Sequence, residues 1–386
     1  MTDWRTWVAA ERDRLRSLGR WRAVRDLDGP GPETVLREHG SARAVVSFAS
    51  NDYLGLTRHP AVVAAAVEAV ERWGTGSGAA RLVVGSRPVH TRLEAALAGW
   101  KGAERAVLFP TGYAANLGVL SALAGPGTRV LSDERNHASI VDGCRLSRAE
   151  VVVYPHGDVA AVGRALARGG RTMVVSDSVF SMDGDLAPVD DLVALCRRHD
   201  ALLVLDEAHA VLGPVPPPSD GPVLRVGTLS KALGSLGGYV AGPGPLAELV
   251  VNRARPFIFT TASTPADAAA ALAALHVVTS SEGEELRARL RSHVERLRPG
   301  HPSPIVPVIL GGEQAALAAS AELLEQGLLV PAIRPPTVPP GTSRLRVTLS
   351  AAHTAEQVEG LKAALGAVAP SAPGNGGSRP STPLHR

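Results

Sequence analysis

Lys231 stands at the centre of LRVGTLSKALGSLGG (224–238), where an apolar run of Leu224, Val226 and Leu229 meets Ser230 and the lysine, and glycines follow at 234, 237 and 238. Such glycines let backbone come close to whatever the lysine touches. Lysine is rare in this chain: of 40 Lys plus Arg, only Lys101, Lys231 and Lys362 are lysines. Arginine cannot shed its proton or form an imine, so a lysine at this place points to Schiff-base chemistry. A phosphate-binding or solvated lysine at a strand end fits the same spacing.

The elements that must position Lys231 are legible between 106 and 241. Short apolar runs predict strands at 106–109, 129–132, 150–154, 172–176, 201–205, 224–229 and 238–241, with helices at 113–124, 137–147, 158–168, 190–199 and 245–254. Alternation of this kind is the pattern of a parallel α/β sheet with crossover helices, and runs such as ALLVL suit strands buried on both faces. Ligands of such sheets bind beyond the carboxyl ends of the strands. There the polar residues gather: Thr111-Gly112-Tyr113, Asp133 to His137, Asp177 to Ser181, Asp206-Glu207-Ala208-His209, and Lys231. Each alone reads as a cap or a turn; five on one sheet edge read as a site.

A pyridoxal phosphate held at Lys231 would give each group a task. Asp206 would keep the pyridine nitrogen protonated, making the ring an electron sink. His209 could reach the phenolic oxygen and His137 could stack on the ring. Gly112 and Tyr113 open a helix whose free N–H groups suit a phosphate, with the hydroxyls of Thr228, Ser230 and Thr261 as further candidates. Taken singly, Asp206 is an ordinary strand-end cap, the two histidines are structural, and Ser181-Met182-Asp183-Gly184 is a turn.

The rest of the chain frames this centre. An amphipathic helix is predicted over 4–18, a short strand at 45–48 and a helix at 61–73; the glycine cluster 74–85 is a weak match to a dinucleotide loop, because a helix precedes it and 81–84 reads as loop or strand. Beyond the sheet come helices at 265–280 and 284–297, a strand in HPSPIVPVIL, a helix at 313–326, a strand near 328–333, a stiff Arg334–Pro340 loop, a strand at 344–349 and a helix at 354–368. The resulting division is an N-terminal arm (1–45), a large domain (46–280), a smaller α+β domain (281–370) and a disordered tail (371–386). The 386 residues carry 45% hydrophobic residues and a formal charge of +3, which excludes a nucleic-acid binder built on a basic surface. Two cysteines without metal-ligand spacing argue against a disulfide framework or a metal site, and no apolar run is long enough to span a membrane. A cytoplasmic protein is expected.

The motifs SNDYLGL (50–56), FPTGYAAN (109–116), NHASIVDG (136–143), DSVFSMDGD (177–185), DEAH (206–209) and GTLSKALGSLGG (227–238) together resemble the α-oxoamine synthases, a branch of the fold-type I pyridoxal-phosphate enzymes. The resemblance runs from about Trp4 to about Val368. It implies a large, mostly parallel seven-stranded sheet domain with a smaller C-terminal domain, a homodimer with its site at the subunit interface, and pyridoxal 5'-phosphate as cofactor. Position by position it makes Lys231 the imine lysine and catalytic base, Asp206 the pyridine partner, His137 the stacking residue, and His209 and Ser181 the partners of the phenolic oxygen. Gly112, Tyr113 and Thr228 become cofactor contacts, Thr261 lies in a segment reaching the neighbouring subunit's phosphate, and Arg346 grips the amino-acid carboxylate. Arg22, with Arg20 and Arg25 close by, and Thr337 match contacts to an acyl substrate.

The segment AIRPPTVPPGTSRLRVTLSAAHT (332–354) is similar to the branch members that join L-alanine to a pimeloyl thioester, carried on coenzyme A or a carrier protein, with loss of carbon dioxide. Glycine-using members acting on acetyl or succinyl thioesters are the near alternative, an aminotransferase the more distant one, and a non-catalytic scaffold the alternative of another class. Two departures stand out. The connection from His209 to Lys231 is shortened and lacks the usual glycines, and Ala79-Ala80-Arg81 replaces the common Gly-Ser-Arg.

Overall fold

The seven segments that read as strands between 106 and 241 do pack as one sheet. In the computed structural model, which describes residues 3–29, 31–38, 40–212 and 223–368, they are Arg105–Phe109, Arg129–Asp133, Glu150–Tyr154, Thr172–Asp177, Leu202–Asp206, Val223–Thr228 and Gly238–Gly242. Numbered by chain order, they lie side by side as first, seventh, sixth, fifth, fourth, second, third. Only Gly238–Gly242 runs antiparallel to its neighbours. The inner strands are sealed from water on both faces, with Leu131, Val174, Leu203 and Val226 fully buried, whereas the edge strand Glu150–Tyr154 leaves Val151 and Val153 exposed. The crossover helices Gly112–Leu123, Ala138–Ser147, Val159–Leu166, Val189–Arg198 and Gly244–Arg253 agree with the sequence to within about two residues at each end.

Two smaller sheets complete the protein. Asp26–Asp28, Glu33–Glu38 and Ser41–Ser47 form an antiparallel meander that Leu328–Leu329 joins in parallel. Ile305–Gly311, Ser343–Thr348 and Ala332–Ile333 form an antiparallel sheet. The strand expected near 328–333 is therefore two short strands in two different sheets. Pro331 between them has no N–H to continue a ladder, while its carbonyl accepts from Arg346 N at 3.0 Å. Arg81–Gly85, expected as loop or strand, is instead a single π-helical turn.

The helix Pro88–Lys101 and the first two meander strands are additions that the sequence reading does not contain. The helix has a readable signal, since Pro88 stands at its first turn and Val89, Leu93 and Leu97 recur every four residues; all three are buried. They join the largest apolar cluster, which runs from Phe48 and Val62 through Ala271 and Leu290 to Leu345 and Leu361. That cluster ties the small sheets to the flank of the large one. Lys101, the second of the three lysines, ends this helix in a buried ion network: its Nζ lies 2.7 Å from Glu207 Oε2, and Arg225 reaches Glu207 Oε1 at 2.8 Å. Rarity of lysine alone therefore does not mark chemistry. Among the described residues no helix is long and apolar enough to cross a membrane.

Candidate active site

Lys231 is carried on a tight loop after Val223–Thr228. Leu229 N donates to Gly237 O and Ser235 N to Leu229 O, both at 2.9 Å, and Gly234 N closes onto Lys231 O at 3.0 Å. Gly234 has φ +57°, and a Cβ there would lie 2.5 Å from Thr57 N, so glycine is required. Leu229 and Leu233 bury their side chains on either side of the lysine. The Lys231 ammonium has no hydrogen-bond or ion-pair partner among the described residues. Burial pushes its pKa down from the ordinary lysine value, and Asp206 and Asp177 push back only in part.

Those two acids face each other across adjacent parallel strands, with Asp177 the register partner of Asp206. Each ends its strand, and both are buried. Asp206 Oδ2 accepts from Asn116 Nδ2 at 2.6 Å and Oδ1 from Ala208 N at 2.9 Å. Asp177 Oδ2 accepts from His137 N at 2.9 Å. Complete burial and the neighbouring Asp206 charge hold the Asp177 carboxyl well above the usual range.

A hydrogen-bonded line runs from Asp206 to the helix Ala138–Ser147. Asn116 Nδ2 also donates to Ser139 Oγ at 2.9 Å, and Ser139 Oγ lies 2.8 Å from His137 Nδ1. His137 caps that helix, and its ring is placed by these contacts. Burial among the surrounding groups lowers its pKa; the Asp206 charge opposes this and the Lys231 charge adds to it. His209 is buried three residues past Asp206, with Nδ1 2.5 Å from Tyr53 Oη. Burial, then Lys231, Arg346 and His137, drive its pKa well below the usual histidine value, so the ring is neutral. Tyr53 is lifted to about 12 by burial and also donates to Asn51 Oδ1 at 3.2 Å.

The N-terminus of Gly112–Leu123 abuts the lysine loop. Thr111 Oγ1 accepts from Ala114 N, and Thr228 Oγ1 lies 2.6 Å from Ser230 Oγ. A Cβ on Gly112 would stand 3.2 Å from Thr228 Cβ, and one on Gly238 would stand 2.5 Å from the Thr111 carbonyl. Gly238→Ala should therefore force the helix start away from the loop, costing about 1–3 kcal/mol as overpacking does. Thermal denaturation and cofactor affinity measured together check this: both should fall. Tyr113 is exposed and donates from its hydroxyl to Asp142.

Arg346, on Ser343–Thr348, is buried and fans out between the sheets. Nε donates to Ser181 O at 2.6 Å, one terminal nitrogen to Thr348 Oγ1 at 2.8 Å and the other to Asn51 Oδ1 at 3.2 Å. The Ser181 turn is thus joined to Arg346 through its backbone carbonyl. Arg22 and Thr337 make no hydrogen bond or ion pair with Arg346 among the described residues. Both are exposed and gather around Arg334, whose pKa burial and then the Arg22 charge lower, and whose carbonyl accepts from Thr337 N at 3.1 Å. Arg20 pairs instead with Glu313 at 3.0 Å. Thr261 is exposed and borders a small cavity with Arg81, Pro110 and Phe257. Arg81, in the departure from Gly-Ser-Arg, forms a two-point pair with Glu94 at 3.0 and 2.9 Å. The shortened connection after His209 falls largely on 213–222, outside the described residues.

The structure adds Asn116, Ser139, Tyr53 and Asn51 to the site and sets Asp177, one of the strand-end polar residues, directly beside Asp206. All lie inside motifs visible in the sequence, yet only tertiary contact makes them partners of Asp206, His137, His209 and Arg346.

The sequence signature of the class I and II aminotransferases matches residues 43–365. A curated 8-amino-7-oxononanoate synthase from Anaeromyxobacter dehalogenans is 52% identical over 392 residues, covering 97% of this chain and 98% of the relative. Serine palmitoyltransferase from S. paucimobilis, solved with bound PLP, superposes with a TM-score of 0.85 at 33% identity, over 94% of this chain and 97% of that one. 8-Amino-7-oxononanoate synthase from Francisella tularensis superposes at 0.70 with 26% identity, over 84% and 97%.

Proposed function

The chain belongs to the 8-amino-7-oxononanoate synthases, pyridoxal-phosphate enzymes within the class I and II aminotransferase family, and from that premise we propose how its residues divide the work. The reaction joins L-alanine to a pimeloyl thioester and releases the thiol and carbon dioxide, giving 8-amino-7-oxononanoate. The observation that carries the residue assignment is the half-buried Lys231 ammonium without a partner among the described residues, beside two buried strand-end carboxylates and near a helix N-terminus. This set fits the cofactor: an unpaired amine for its aldehyde, an acid for its ring nitrogen, and free N–H groups with two hydroxyls for its phosphate. When bound, pyridoxal phosphate supplies an electron sink for the pair left on the substrate Cα.

The chain's own groups do the rest. Asp206, oriented by Asn116 and Ala208 N, would hold the ring nitrogen's proton. His137 would pack against the ring, and His209 with Ser181 would reach the phenolic oxygen. Gly112, Tyr113 and Thr228 would seat the phosphate, joined by Thr261 from a second subunit. Arg346 holds the alanine carboxylate in a two-point fit. Lys231, its pKa lowered by burial, takes the proton from the alanine Cα. With the cofactor as sink, the Cα pair would be free to add to the thioester carbonyl as the thiol and carbon dioxide leave, and Lys231 is placed to return a proton to Cα. Arg22 and Thr337 near Arg334 contact the pimeloyl chain. A homodimer is supported by the exposed apolar run Leu82, Val83 and Val84 and by Phe259, 54–73% exposed in the single chain.

Product analysis tests the reading. Alanine with pimeloyl-CoA should yield carbon dioxide and the amino ketone, and glycine with acetyl- or succinyl-CoA should yield at most a few per cent of that rate. A glycine rate that matches or exceeds the alanine rate would overturn the substrate assignment.

A further inference from the structure

At the same sheet edge, away from Lys231, one histidine is held between two carboxylates. His156 follows the strand Glu150–Tyr154. Its Nδ1 lies 3.0 Å from Asp133 Oδ1, at the end of the neighbouring strand, and its Nε2 lies 2.7 Å from Asp185 Oδ2, in the turn after Thr172–Asp177. An ionised carboxylate can only accept and a neutral imidazole carries one N–H, so both bonds together call for the doubly protonated ring. Burial alone would lower the His156 pKa, but the bonds to Asp133 and Asp185 outweigh it and lift it to about 9. Arg135, 3.9 Å from Asp185 and 3.5 Å from Asp183, opposes that rise, and Phe180 packs edge-on to the ring at 4.4 Å. On the far side His301 lies within electrostatic reach of Asp185, and Asp177 and Tyr154 of Asp133.

The turn that His156 grips is the one that meets Arg346. Phe180 N donates to Asp185 O at 3.0 Å and Gly184 N to Phe180 O at 2.8 Å, making a closed loop of six residues. A Cβ on Gly184 would lie 2.1 Å from Ile305 O, so the loop is pressed against the small sheet. From that sheet Arg344 pairs with Asp183, and Arg346 donates to Ser181 O. Asp185 Oδ1 is buried with no hydrogen bond among the described residues, leaving His156 as the close polar anchor of that carboxylate.

We propose that His156 is a positioning residue for the amino-acid substrate: it pins Asp185, and through the 180–185 turn it sets the Ser181 carbonyl against which Arg346 is aimed. The role rests on the assignment of Arg346 to the substrate carboxylate. A side chain that only stabilised the fold would affect all ligands alike, whereas this one acts on alanine.

The test titrates holoenzyme with L-alanine without thioester, following the cofactor's visible absorbance, in wild type, His156→Gln, Asp185→Asn and the double variant. Each single change should weaken alanine about 10-fold, and the double variant should add less than about twofold, since both act on one contact. Cofactor retention and the thioester KM should stay within about twofold of wild type. In cofactor-free protein, the His156 ring nitrogens should titrate near 9 and move down in Asp185→Asn. Alanine binding unchanged in folded variants, or cofactor and thioester weakened as much as alanine, would overturn the role. If His156→Gln does not fold, Asp185→Asn, at a side chain 40% exposed, decides alone. A wild type that ignores alanine refutes the Arg346 assignment and the role with it, while the ring titration separately reports whether the clamp exists.

Discussion

Lys231→Ala should give a folded protein that lacks the visible absorbance of the bound cofactor and has lost product formation by on the order of 10⁴-fold, the combined worth of a covalent anchor and a positioned base. Folding should survive because the Lys231 ammonium satisfies no partner among the described residues, so its removal orphans no hydrogen bond. The loop is held instead by Leu229, Leu233 and the Gly234 and Gly237 backbone contacts, which the substitution leaves in place. The change also removes a positive charge that favours ionised Asp177, so that carboxyl should titrate higher in the variant. Absorbance, thermal denaturation and carbon dioxide release from alanine and pimeloyl-CoA measure the three parts. Retained absorbance with retained turnover would remove Lys231 from the chemistry.

The second large effect belongs to Asp206→Asn, which should lower kcat by about 10²-fold or more, because a neutral amide cannot hold the ring nitrogen's proton as a carboxylate does. The local hydrogen bonding suffers as well. Asp206 accepts from both Asn116 Nδ2 and Ala208 N, and an asparagine can present only one acceptor oxygen to these two donors. The donor left facing an amide NH₂ costs about 1–3 kcal/mol. The sign of the lysine shift follows from the charges. Asp206 favours the Lys231 ammonium, so deleting its charge lowers the Lys231 pKa further, and the acidic limb of the rate profile should move to lower pH. Asp177, relieved of its neighbour's repulsion, should titrate lower than in the wild type. A pH-rate profile that keeps its shape and position in the variant would mean that Asp206 does not act on Lys231.

Much of this site can be read from residues alone. Strands buried on both faces must be continuous apolar runs, which is why 201–205 and 224–229 match Leu202–Asp206 and Val223–Thr228 closely. Chemistry that needs a removable proton selects Lys231, and the carboxyl-end rule brings Asp206, His209 and His137 beside it. Where periodicity is interrupted the sequence is harder to read. Pro331 splits what looks like one strand between two sheets, and Arg81–Gly85 coils into a single π turn that no apolar period announces.

The sequence by itself determined the sheet, the strand-end positions and the residue types able to do imine and proton chemistry, because each depends on neighbours within a few positions along the chain. The tertiary structure decided which polar groups are wired together. Asn116 meets Asp206 across 90 residues, His209 meets Tyr53 across 156 and Arg346 meets Ser181 across 165. No local pattern encodes such pairings, since they arise only when separate elements are packed and their buried polar atoms must find partners. The same packing separated two lysines that the sequence treats alike: Lys101 pairs with Glu207, and Lys231, without a partner among the described residues, lies where burial lowers its pKa.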